Sequence, residues 1–174
     1  MSPVVVLVGP PGAGKTTIAE ELGRRLGVPV RDTDADVEQQ VGTSVQDLFV
    51  QQGEAYFREL EAEAVRVALQ EHEGVLALGG GAVTSPAVRE ALAGHRVVFL
   101  DVGLTEAAGR IGFGASRPLL LGNVRATLKA LMDERRPLYE EVSVLTVPTD
   151  TLTPDEVAGA VLTDAGLTDR RDDA

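Results

Sequence analysis

Eight residues near the N-terminus, GPPGAGKT from Gly9 to Thr16, satisfy the pattern GxxxxGK[ST] and follow directly on the apolar run Val4 to Val8. The chemistry this spacing serves is the binding of a nucleoside triphosphate. Backbone N–H groups of such a loop wrap an anion, and a side chain at Gly12 or Gly14 would hinder the turn or the approach to phosphate. Lys15 reaches the terminal phosphates, and Thr16 offers its hydroxyl to Mg²⁺. The chain has only two lysines, Lys15 and Lys129, against fourteen arginines. Lysine is therefore not its ordinary surface cation, and one of the two stands where a flexible point charge is needed.

Further residues of chemical interest lie beyond the loop. Asp32, Thr33 and Asp34 follow a second apolar stretch and put two carboxylates on the same side of the chain. One can serve Mg²⁺ through water while the other faces an acceptor. Alternatively, Asp34 caps a helix beginning near Ala35 and Asp32 is a turn residue. Arg58 stands four residues after Glu54 and three before Glu61, so on a helix both acids can fix its guanidinium as a fork for a carboxylate; an ordinary surface ion pair has the same spacing. Three consecutive glycines, Gly79 to Gly81, exceed what a tight turn requires and favour close approach of a ligand to the backbone. Arg117 precedes Pro118, which fixes the local backbone and aims the guanidinium at phosphates. Arg110 reads by itself as a cation favoured by a helix C-terminus. Asp101 ends the run VVFLD and imitates a metal-binding aspartate, but is set aside as a decoy. His72 and His95 fall at element ends without a patterned partner and are read as surface residues.

These residues need a scaffold. Apolar runs at Val4–Val8, Val28–Val30, Val75–Leu78, Val97–Leu100 and Val142–Val147 are short enough for strands and apolar throughout. Between them, helical periodicity marks 15–26, 44–52, 54–72, 85–93, 104–110, 124–139 and 154–165. The alternation predicts a three-layer α/β/α fold around a five-stranded parallel sheet, with ligands at the carboxyl ends of the strands. Residues 111–123, with three glycines and a proline, are expected to form a mobile lid, the alternative being a plain connecting loop. A single domain is expected over 1–168, with a substrate-binding segment at about 33–61 and a disordered tail at 169–174.

Composition narrows the classes. The formal net charge of −11 opposes a broad nucleic-acid footprint, so an anionic substrate must be met by local arginines. The absence of cysteine excludes disulfides and thiolate metal sites. No early run is long enough to span a bilayer or patterned for export, and a cytoplasmic protein without membrane contact is expected.

Taken together, GPPGAGKT, DTD at 32–34, FRELE at 57–61, LGGGA at 78–82, RPLL at 117–120 and RRPLY at 135–139 resemble the shikimate kinase family in order and spacing. The resemblance implies ATP-dependent phosphorylation of the 3-hydroxyl of shikimate, with Mg²⁺, in a monomer. It implies that Gly12, Ala13, Gly14, Lys15, Thr16, Thr17, Arg110, Arg117 and Pro154 bind ATP, and that Asp34, Lys15 and Arg117 are catalytic. Arg58 and Arg135 would grip the shikimate carboxylate, with Asp34, Gly79, Gly80 and Gly81 on its hydroxyl side and Phe49 and Phe57 on the apolar side. Thr16, and Asp32 through water, would hold the metal. The family often has an Arg where this chain has Thr151 or Leu152, which leaves Pro154 and backbone groups for adenine. Rival readings are a gluconate or nucleoside monophosphate kinase, and a nucleotide-dependent switch without phosphotransfer.

Overall fold

A computed structural model of the chain describes residues 2–111 and 123–170. Strand β1 (Val5–Val8) is fully buried and occupies the centre of a five-stranded sheet, flanked by β3 (Val75–Ala77) and β4 (Val97–Asp101). β2 (Val30–Asp32) and β5 (Leu145–Pro148) are the edges, in the order β2-β3-β1-β4-β5, and every pairing is parallel. All strands therefore end at one edge, where β1 leaves at Val8, β2 at Asp32 and β3 at Ala77.

Strand pleating explains the uniformly apolar runs, because successive side chains point to opposite faces and both faces are covered. Val5 and Leu7 pack with Ile18, Leu22, Val157 and Val161 from α1 (Lys15–Leu26) and α8 (Pro154–Asp164). Val6 and Val8 face the other way, toward Val65 and Leu69 of α4 (Glu54–Glu71), Val88 of α5 (Pro86–Ala91) and Tyr139 of α7 (Val124–Val142). A third, smaller core of Val37, Leu48, Phe57 and Ala64 joins α2 (Thr33–Val41), α3 (Val45–Gln52) and α4. α6 (Leu104–Ile111) follows β4. The expected three layers and five parallel strands are thus present.

Two strands sit later than the apolar runs suggest. Val28 is spent on closing α1, its N–H donating to the Gly23 carbonyl at 3.0 Å, so β2 begins at Val30. α7 runs past Tyr139 to Val142 despite Pro137 within it, which displaces β5 to Leu145. Among the described residues no helix is long and apolar enough to cross a membrane.

Candidate active site

The phosphate-binding loop bridges β1 and α1 as the spacing predicts. Gly12 and Gly14 adopt the left-handed region, with φ of 81° and 87°, where L side chains are strained. A Cβ on Gly12 would also lie 2.7 Å from the Ala107 carbonyl oxygen of α6. Gly14 caps α1, whose N-terminus then faces the cavity as an anion site. Lys15 folds over the loop, its Nζ donating to the carbonyls of Gly9 at 2.7 Å and Pro10 at 3.0 Å. Thr16 and Thr17 line the same cavity, whereas the Ala13 side chain is buried in the core.

The DTD segment settles the question of the cap. Asp32 is the N-cap of α2, accepting from the Asp34 N–H at 2.8 Å, and the helix starts at Thr33. Asp34 therefore belongs to the first turn, where the helix dipole favours a negative charge, and it lines the cavity with Asp32. Thr33 between them is fully buried, its hydroxyl accepting from the Gly79 N–H at 3.4 Å. That bond ties the end of β2 to the glycine run after β3.

Arg58 is held on both sides, with Nη1 donating to Glu61 at 2.7 Å and Nη2 to Glu54 at 3.3 Å. It is no surface pair: its side chain is 16% exposed and that of Glu61 only 2%. Burial pushes the Glu61 carboxyl above its ordinary pKa against the pull of Arg58, and the neighbouring Asp34 charge adds to the rise. The guanidinium lies 5.2 Å from the Phe57 ring centre and 5.9 Å from that of Phe49, and the two rings are 4.9 Å apart. Arg135, 4% exposed, comes from α7 to the same cavity wall.

None of Gly79, Gly80 and Gly81 is in the left-handed region. Their lack of side chains is a matter of space. A Cβ on Gly79 would meet Asp34 Oδ1 at 2.5 Å and Glu61 Oε2 at 2.6 Å, and one on Gly81 would collide with the Arg58 guanidinium. The run is held from behind by Tyr139, which donates its hydroxyl to the Gly80 carbonyl at 2.5 Å and is 1% exposed. Burial pushes the Tyr139 hydroxyl up to about 12, so it remains a donor at neutral pH. Local spacing gives no sign of this bond, which joins residues 59 positions apart.

At the other end of the cavity, Arg110 donates to the Gly12 and Ala13 carbonyls and to Thr149. The segment after β5 is pinned further by Asp150 Oδ1, which accepts from the Gly103 N–H at 2.8 Å. Arg25, buried and held by Glu21 at 2.8 Å, donates to the Asp155 carbonyl at 2.8 Å. These contacts shape the segment that runs from β5 to α8. Pro154 opens α8 and is exposed, outside the cavity wall. Arg117 and the lid at 112–122 lie outside the described residues, as do residues 171–174 of the tail.

Asp101 accepts both Nη atoms of Arg136, at 2.9 and 2.7 Å, an arrangement that suits a structural fork. His72 is buried, not a surface residue, with Nε2 3.0 Å from the Val75 carbonyl oxygen.

The cavity measures about 870 Å³ and is walled at one end by Gly12, Lys15, Thr16 and Arg110, and at the other by Arg58, Gly79 to Gly81 and Arg135. Asp32 and Asp34 sit on its wall as well. It is large enough for two small molecules placed end to end, one anionic at the loop and one carboxylic between the arginines.

Known proteins resemble this chain in sequence and fold. The family model for shikimate kinase matches residues 11–165. A shikimate kinase of Salinispora arenicola is 55% identical over 158 residues, covering 91% of this chain and 95% of that one. The Thermobifida fusca shikimate kinase is 54% identical, over 90% of this chain and 91% of its own. Among solved structures, the Acinetobacter baumannii shikimate kinase in complex with shikimate superposes with a TM-score of 0.89 at 33% identity, covering 94% of this chain and 92% of that one. With the match to the family model spanning most of the sequence and the fold shared throughout, the chain belongs to the shikimate kinase family.

Proposed function

We propose that this protein transfers the terminal phosphoryl group of ATP to the 3-hydroxyl of shikimate, giving 3-phosphoshikimate and ADP. The observation that carries the reading is the single cavity whose one end is a phosphate-binding loop and whose other end presents Arg58 and Arg135. In a chain of net charge −11 these two arginines supply the guanidinium donors that a small carboxylic acid requires.

In this reading the loop amides and Lys15 hold the β- and γ-phosphates, and Lys15 exchanges its bonds to Gly9 and Pro10 for bonds to phosphate oxygens. Arg58 and Arg135 grip the acceptor carboxylate, Phe49 and Phe57 meet its apolar side, and the Gly79 to Gly81 backbone approaches its hydroxyls. Asp34 orients the 3-hydroxyl and receives its proton as the phosphoryl group arrives. The loose transition state of phosphoryl transfer needs little early deprotonation, so positioning by Asp34 contributes more than its basicity. Arg117 neutralises charge on the moving group when the lid closes. Arg110 and Pro154 flank the adenine.

Thr16 and Asp32 would hold Mg²⁺, Asp32 through water. The donor set fits that ion: hard oxygens beside an anion site, in a cavity with room for waters, and no larger cluster of acidic or imidazole ligands among the described residues. When bound, Mg²⁺ supplies charge neutralisation at the phosphate oxygens. The chain acts as one domain, as a monomer in the cytoplasm.

A coupled ADP-release assay with shikimate, gluconate, AMP or no acceptor tests the reading. Turnover with shikimate alone is the expected result. Turnover only with gluconate or AMP reassigns the acceptor, and release that needs no acceptor, or none with any, points to a nucleotide switch.

A further inference from the structure

α6 touches the phosphate-binding loop at two points one turn apart. The Ala107 backbone occupies the space a Gly12 side chain would need. One turn on, Arg110 Nη1 donates to the carbonyls of Gly12 at 3.1 Å and Ala13 at 3.4 Å, and to Thr149 Oγ1 at 3.2 Å. Its Nη2 donates to the Thr149 carbonyl at 3.0 Å. Thr149 is itself fixed to the Asp101 carbonyl, through its N–H at 2.8 Å and its hydroxyl at 3.1 Å. One guanidinium thus spans from the loop to the end of the sheet.

We propose that Arg110 is a positioning residue for phosphate, acting through the loop it braces, over and above any packing against a nucleotide base. The inference rests on the nucleotide-binding reading given above. A peptide plane is rigid, so fixing the Gly12 and Ala13 carbonyls fixes the Ala13 and Gly14 N–H groups on the opposite side of the same planes. A cation on those carbonyls also polarises the peptides, which makes the Gly14 N–H a better anion donor, while the Ala13 N–H donates to the Pro10 carbonyl at 3.1 Å and holds the loop's turn. Because the same guanidinium holds Thr149, the phosphate end and the segment that follows β5 are set by one side chain. A residue that only stacked on adenine would have no need of loop carbonyls.

The test compares wild type with Arg110→Lys and Arg110→Ala. A Lys keeps the charge, but its nitrogen sits one bond short of the Nη1 position and no second nitrogen reaches the Thr149 carbonyl, so it cannot reproduce all four contacts. Three quantities are measured: inhibition by magnesium tripolyphosphate competing with ATP, the calorimetric Kd of ADP, and amide hydrogen exchange of residues 9–16 in ligand-free protein. Both variants should bind tripolyphosphate at least about fivefold more weakly, a loss comparable to that for ADP, with faster exchange in the loop. Shikimate affinity by calorimetry should stay within about twofold, which shows that the fold persists. If ADP alone is weakened while tripolyphosphate binding and loop exchange are unchanged, Arg110 serves the base and the proposal is overturned. Should Arg110→Ala fail to fold, Arg110→Lys decides the matter alone. Failure of the wild type to bind either ADP or tripolyphosphate would overturn the nucleotide reading instead.

Discussion

The Tyr139 hydroxyl donates to the Gly80 carbonyl oxygen from the buried side of the glycine run. An α7 side chain thereby sets the backbone on which the acceptor is expected to lie, and the same helix carries Arg135, four residues before Tyr139, on the cavity wall. Removing the hydroxyl deprives the half-buried Gly80 carbonyl of this donor, at a cost of ~1 kcal/mol. Tyr139→Phe should raise the shikimate KM several-fold and lower the Tm by a few degrees, with the ATP KM unchanged. Steady-state kinetics with each substrate varied in turn, alongside a thermal melt, check this. An unaltered shikimate KM would reduce Tyr139 to a packing residue.

Asp34→Asn should lower kcat by about 10²-fold or more while ADP affinity stays within about twofold. The side chain lines the cavity from the first turn of α2 and takes no part in capping that helix, so the fold should survive the change. Rapid-quench measurement of phosphoryl transfer is the readout, and a normal kcat removes Asp34 from the chemistry.

Arg135 and Arg136 are adjacent in sequence but serve different ends. Arg135 is buried on the cavity wall, whereas Arg136 forks onto Asp101 and bridges α7 to β4. Arg135→Ala is expected to raise the shikimate KM by at least about tenfold, as loss of a charge-assisted contact implies. Arg136→Ala should lower the Tm with the shikimate KM within about twofold. Equal effects on KM would show that the carboxylate site lies elsewhere on α7.

Stability should depend on pH through Glu21. Hydrogen bonds from Arg24 and Arg25 hold its carboxyl near a pKa of about 2, below the usual 4.5. A depressed carboxylate adds stability above its unfolded pKa and loses it as pH falls through the folded one. Glu21→Gln should therefore melt below wild type at pH 7, and the gap should close between about pH 4.5 and pH 2. A gap independent of pH would mean that the substitution acts through shape alone.

The parts of this protein that could be read from the sequence are those set by local spacing. Arg58 with Glu54 and Glu61 is an i, i+3 and i, i+4 arrangement, and the loop from Gly9 to Thr16 follows its strand directly. Strand ends are less legible because register against neighbours decides them: Val28 scores as strand by composition but closes α1 instead. The cap of α2 was ambiguous because Asp32 and Asp34 are both good caps, and the backbone took the earlier one. His72 looked like a surface residue at a helix end, yet the chain turns back to β3 there and buries it against Val75. Contacts such as Arg110 with Thr149 join distant segments and leave no trace in any short window.

The glycine run has a consequence for how such a site can change over generations. Its neighbours at Gly79 and Gly81 are Asp34 and Arg58, to which acceptor handling is assigned above, and Glu61, which holds Arg58. A codon change to any larger residue at either position displaces one of those charges before a new contact can form. Drift toward another acceptor cannot begin in the backbone wall. It must start with the arginines and carboxylates, and the glycines can be replaced only after those have gone.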